Sequence, residues 1–358
     1  MRTSTCAAVV LMRPHTGSTG CGVVAGPDFW GLPLIASTGA DRLQSWEPND
    51  ADNAGSTRMT NCIHDHGRWG KGDQLGAGHF LTPERTLGAL RMVKYGTVID
   101  MSHVIEIGAP RMAPNQSPYH IQAGPTSAGS IRRRRKMGAK NDAGSNLERI
   151  EMTTHVGTHI DALGHFSKGD TLYGGYSATE TVDDFGLNNL GIENMPPIVT
   201  RAVLLDVSRL DGGDYLESGR AVTVADLEKA LAAAKLTIQA GDVVCINTGW
   251  GRFFMKDNDK YLHGEPGIDK EAACWLTGQD CVAIAADNMA LEVLPGTNHP
   301  EEMMPVHQHC LAEAGVHIIE NLVMDDLIQR EVREFCFMLS AIKLKGATGC
   351  PVRPIAIV

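Results

Sequence analysis

Apolar positions recur at helical spacing in some stretches of the chain and gather into short continuous runs in others. Leu87, Leu90, Met92 and Val93 form a helical stripe. Thr82, Pro83 and Glu84 open it: the threonine hydroxyl can cap free amides, proline at the first position forfeits no hydrogen bond, and glutamate suits the positive helix end. Gly96 ends it. Thr223, with Asp226 three residues on, opens a second helix over 224–235, and further helices are expected near 269–276 and 305–314. The apolar runs predict strands at 97–102, 147–153, 202–207, 243–247, 281–286, 316–320 and 335–342. Strands and helices mix without strict alternation, and no glycine-rich phosphate loop follows an early strand. The expected fold class is therefore α/β (α+β), one domain over 61–358 around a mixed, partly barrel-like central sheet.

Residues 1–60 break this pattern. They lack periodicity of either kind and are punctuated by Gly, Ser, Thr, Asp and Asn from His15 to Gly55, which predicts a poorly ordered N-terminal extension. Met59 stands just ahead of the first clear structure, as a downstream start site would. The remaining composition is that of an ordinary globular protein, 43% hydrophobic and 21% charged, with no run long enough to span a bilayer. A net charge of −10 opposes a phosphate backbone, and 5% aromatic content supplies no stacking platform for single strands, so nucleic acid is not an expected partner. The basic run Arg132 to Lys136 is expected to be a solvated loop, its alternative a lid that attracts an anionic substrate. Nine cysteines without regular spacing suggest thiols in a reducing compartment, hence the cytoplasm.

Chemistry concentrates in one place. His155, His159, Asp161 and His165 fall within eleven positions, and imidazole with carboxylate is the ligand chemistry of zinc or manganese. The spacing of four between His155 and His159 aligns them on a helix face, while Gly157 and Thr158 favour a turn leaving a strand; either converges the rings. Gly157 and Gly164 permit the close backbone approach such a turn needs. A catalytic ion must also keep a position open for substrate. His307, at the start of a predicted helix, and Glu320, at the end of a predicted strand, could return to the same place, with His309 and His317 as rivals to His307. Trp250, in a Gly-rich turn after a strand, and Asp287, at a strand end beside Asn288, are candidates to line a substrate pocket, against the simpler readings of a packed tryptophan and an Asx turn.

The run His155, Gly157, Thr158, His159, Asp161 and His165 resembles the signature of the cyclase family of metal-dependent hydrolases, which includes bacterial kynurenine formamidases, isatin hydrolases and trans-dienelactone hydrolases. Trp69-Gly70, Asp73 to Gly76 and Leu81 to Glu84 look like the opening of its longer members, and Pro305 to Gln308, Gly315 and Glu320 to Leu322 like their closing metal segment. Leu163 stands where the shorter formamidases carry proline, which tilts the likeness towards the isatin- or dienelactone-hydrolase-like members. The resemblance implies a swivelling β/β/α fold and a homodimer or homotetramer. It implies His155, His159, Asp161, His307 and Glu320 as ligands of one or two divalent ions, and His165 as the acid or base beside them. The implied reaction is hydrolysis of a small cyclic amide, lactone or related bond. A lyase or dehydratase would use the same ligands, as would a non-catalytic metal-binding protein.

Overall fold

The apolar run at 202–207 extends into the strand Ile198–Asp206, the longest among the described residues, because both faces of this segment find apolar neighbours. The computed structural model describes residues 68–296, 298 and 300–358; the expected N-terminal extension, residues 1–60, lies outside them. Nine strands form the main sheet: β1 Val98–Asp100, β2 His159–Asp161, β3 Ile198–Asp206, β4 Val243–Asn247, β5 Ala283–Ala286, β6 His317–Glu320, β7 Glu334–Leu339, β8 Gly349–Pro351 and β9 Ile355–Ile357. Their order is β1-β9-β7-β3-β4-β5-β6-β2-β8. The four central strands β3 to β6 run parallel, and antiparallel pairs flank them on both sides. The result is the mixed, curled half-barrel sheet that the pattern of elements predicts.

Parallel central strands are buried on both faces, so alternate residues feed two separate cores. Val203, Leu205, Val244, Ile246, Ile284 and Ile318 pack into one. Ala202, Leu204, Val243, Cys245, Ala283 and Ile319 pack into the other. Full burial of each large aliphatic side chain contributes about 1.5–3 kcal/mol, which is why these strands need no polar alternation.

The helices begin where their caps place them. Thr82 accepts from the Arg85 amide ahead of Pro83–Arg91, and Thr223 and Asp226 close a reciprocal capping box on Val224–Ala234. Asp269 caps Lys270–Thr277. The expected helix at 305–314 divides into one α-turn, Pro305–His307, and a π-helical segment, Gln308–Ala314.

Three expectations are corrected. The basic run is no loop: Arg132 to Lys136 end a helix, Ser127–Lys136, which Thr126 caps and whose arginines are strong helix formers. The strand expected at 147–153 does not join the main sheet. It is Glu148–Glu151, paired with His120–Ala123 in an exposed two-stranded ribbon. Of the cysteines, Cys245, Cys281, Cys310, Cys336 and Cys350 are buried thiols, but Cys274 is disulfide-bonded, so the all-thiol expectation does not hold. Among the described residues no helix is long and apolar enough to cross a membrane.

Candidate metal centre

The segment from His155 to Asp161 is a turn that enters a strand. It follows the strand Glu148–Glu151 after a short link, and the helix face is not used. Gly157 takes φ +70, and a Cβ there would lie 2.7 Å from the Ile105 side chain, so the turn requires glycine on both counts. Thr158 ties it down, donating to the Asn321 carbonyl at 2.6 Å and accepting from the His103 amide at 2.9 Å. Gly164 serves by close approach, since a Cβ there would meet Leu187 at 2.5 Å. Antiparallel pairing of β2 with β6 sets Glu320 directly opposite His159. Two residues far apart in sequence thereby share a face of the sheet.

Five side chains converge on this face, all at most 7% exposed. His155 Nδ1 lies 2.8 Å from Asp161 Oδ1, and His159 Nε2 lies 3.5 Å from the same oxygen and 3.1 Å from Glu320 Oε2. His307 Nε2 lies 3.1 Å from Glu320 Oε1 and 3.7 Å from Asp161 Oδ2. His165 stacks on His155 with ring centroids 4.0 Å apart, edge-on to His307 at 6.2 Å. The rivals to His307 are otherwise engaged. His309 bonds Glu313 at 3.0 Å and Thr277 at 2.8 Å, and His317 turns its Nδ1 to the Asp161 carbonyl at 2.8 Å.

The donor set fits a divalent cation. Both Asp161 oxygens, His155 Nδ1 and Glu320 Oε1 are buried and make no hydrogen bond, although neighbouring nitrogens are close. Ring nitrogens and carboxylate oxygens crowd together there at 2.8–3.7 Å. Donors sharing one small cation, at bond lengths of about 2.0–2.2 Å, lie about 3 Å apart, the scale of the separations above. Ligand atoms of His155, His159 and Asp161 lie within 4.8 Å of one another, as do those of Asp161, His165 and His307. Unsatisfied acceptors in a dry site are costly, and a cation is what would satisfy them.

Outer contacts aim each ring. His159 Nδ1 faces the Gly157 carbonyl at 2.8 Å, which leaves Nε2 for the cluster, whereas His155 uses Nε2 on the Thr348 hydroxyl at 2.9 Å and leaves Nδ1. His307 Nδ1 faces Glu292 at 2.7 Å. Sequence reasoning missed Thr348 and Glu292: one is a lone threonine near the C-terminus, the other a single acid in the run Ala290 to Leu294, and neither has a spacing that marks it. Burial pushes His159 down, but its hydrogen bond to Glu320, the charges of Glu320 and Asp161 and the Gly157 carbonyl together outweigh this and carry it up to about 9. A proton is the smallest cation the arrangement accepts. For Asp161 burial works upward, and the surrounding imidazoles more than reverse it. His165 is pushed down to about 3, by burial first, with His155 and His307 adding to it against Asp161 and Glu320.

Trp250 is 1% exposed in a third apolar core with Phe254 and Tyr261, and its indole N–H donates to the Tyr261 carbonyl at 3.3 Å. Asp287 accepts from the Thr248 amide and hydroxyl and from the Gly251 amide. It lines a cavity of about 180 Å³ with His103, Asn247 and Arg252, which none of the cluster residues lines.

A family profile described as "Putative cyclase" matches residues 99–293, more than half of the chain. The chain belongs to the cyclase family. It is 27% identical to "Cyclase-like protein 2" of Oryza sativa subsp. japonica over 227 residues, 63% of this chain and 70% of that protein. A crystal structure of a novel cyclase superposes with TM-score 0.73 at 30% identity, covering 83% of this chain and all of that one (100%). Isatin hydrolase A from Labrenzia aggregata, bound to benzyl benzoate, matches in fold with TM-score 0.55 at 18% identity, over 73% of this chain and 93% of that one.

Proposed function

We propose that the chain is a metal-dependent hydrolase that opens a cyclic amide, lactone or related amide or ester bond in a small molecule. His155, His159, Asp161, His307 and Glu320 would hold one or two zinc or manganese ions, and His165 would act as the acid or base. A homodimer or homotetramer is part of the same proposal. The observation that carries it is the set of buried, unbonded donor atoms on Asp161, Glu320 and His155. A closed ion-pair network would have satisfied them, and this one leaves them pointing inwards.

A divalent ion supplies two things when bound, a water acidic enough to ionise near pH 7 and a Lewis acid for a carbonyl. The chain does the rest. Burial of the cluster excludes bulk water and strengthens every electrostatic interaction inside it. His165, stacked on His155, would take a proton from the attacking water and return it to the leaving nitrogen or oxygen. Phe166, 4.7 Å from the His307 ring, gives the site an apolar wall beside that proton path. The cyclic amide is suggested by the isatin hydrolases among the structural neighbours, whose likeness to this chain is one of fold.

The test is a turnover screen of lactones, cyclic amides and aryl formamides with zinc or manganese restored, run in ¹⁸O-labelled water. Label in the carboxylate product is the expected result. A product formed without label would point to elimination, and inactivity of the metal-loaded protein across the panel would favour a binding role.

A further inference from the structure

Glu292 lies outside the candidate ligand set, yet it determines how His307 is held. Its carboxylate is 2% exposed. Oε1 accepts from His307 Nδ1 at 2.7 Å and from the His307 amide at 3.1 Å, and Oε2 accepts from the Val306 amide at 3.3 Å. Pro305 begins this helical turn, so the amides of Val306 and His307 are first-turn donors that have no partner within the helix. One carboxylate therefore takes up the free end of the helix and the far side of the ring it carries, fixing backbone and side chain of the same residue together.

The other two imidazoles are held differently. His159 leans on a backbone carbonyl and His155 on a hydroxyl. Among the described residues, His307 alone of the three has a carboxylate behind it. A carboxylate in that position fixes the tautomer with the proton on the far nitrogen, orients the ring and makes the near nitrogen a stronger donor to a metal. We infer that Glu292 is a positioning residue: it keeps His307 Nε2 turned into the cluster and makes it the strongest nitrogen donor of the set. This rests on the metal reading above.

Glu265 provides the matched control. It is 0% exposed, accepts from the Met289 amide at 2.8 Å and the Ala290 amide at 2.7 Å, and touches none of the cluster imidazoles. Glutamine there replaces one of two oxygens that accept from backbone amides, as it does at Glu292, so the two substitutions disturb the buried backbone alike. The experiment measures zinc and manganese affinity of the full chain by chelator competition, for wild type, Glu292→Gln and Glu265→Gln, with a melting curve for each. Glu292→Gln should bind roughly 10- to 100-fold more weakly. Glu265→Gln should bind as wild type does, even where its melting temperature falls as far. Equal affinity of Glu292→Gln and wild type overturns the inference, and so does an equal loss in both variants. A wild type that binds neither ion instead overturns the metal reading itself. A second readout needs no variant. In ¹⁵N spectra of the zinc-loaded wild type, His307 should carry its proton on Nδ1, and a metal-bonded or proton-free Nδ1 would contradict the assignment even if Glu292→Gln fails to fold.

Discussion

Asp161, the last residue of one strand, and Asp242, just before another strand of the same sheet, are both fully buried carboxylates, and their surroundings differ in kind. Asp242 is closed by its own protein. One oxygen accepts from Arg201 at 2.8 Å and from the Gln239 amide at 2.8 Å, the other from Arg85 at 3.2 Å. Asp161 has imidazole nitrogens at 2.8 Å, 3.5 Å and 3.7 Å, yet neither oxygen makes a hydrogen bond. Arginine is permanently charged and completes the first group without help. Imidazole is charged only when protonated, so the second group is completed by a proton or by a metal cation from outside. Burial of charge alone does not mark a functional site; burial with the coordination left open does.

The comparison can be broken at either end. The largest effect is expected from Asp161→Asn, which should abolish divalent metal binding in a calorimetric titration; retention of full affinity would move the ligand role elsewhere. His165→Ala should keep the bound metal and lower turnover by roughly 10²–10⁴, as loss of a proton-transfer group does. Loss of metal in that variant would make His165 a ligand. Arg201→Ala opens the closed network and should cost about 3–5 kcal/mol of stability in denaturant unfolding while leaving metal stoichiometry unchanged.

The contrast also has a pH signature. His159 is raised from 6.5 to about 9, so the metal-free protein gains stability from that proton fully below pH 6.5 and loses it as pH rises through 9. A divalent ion competes with the same proton, so its affinity rises over the same window. The gap in unfolding free energy between metal-loaded and chelator-treated protein, read from denaturant titrations, should therefore widen from pH 6.5 to 9, by about 3 kcal/mol at most. A constant gap would mean that His159 is not in the set. The smallest effect is the control: Thr223→Ala, at a capping box, should cost about 1 kcal/mol with no change in metal affinity.

Much of this was legible in the sequence because the signals were local. Caps at Thr82 and Thr223 and the continuous apolar runs of the central strands each depend on a few adjacent residues, and the His155 to His165 density is visible by eye. His307 and Glu320 needed the family likeness to be singled out, since only the β2–β6 register places Glu320 beside His159. Glu292 had no signal at all, because its role exists only once Pro305 starts a helix above it. The short strands at Gly349–Pro351, on one edge of the sheet, and Ile355–Ile357, between β1 and β7, carry no such signal: three residues hold too little periodicity to distinguish a strand from a loop. The arginine run shows the reverse case: its charge suggests a solvated loop, yet arginine is a good helix former and the run ends a helix.

The most direct test is anomalous scattering from crystals of active protein grown with zinc or manganese. The account predicts a peak bonded to Asp161, with His155, His159, His307 and Glu320 completing its shell at about 2.0–2.2 Å. Active crystals with no anomalous density among these side chains would contradict it.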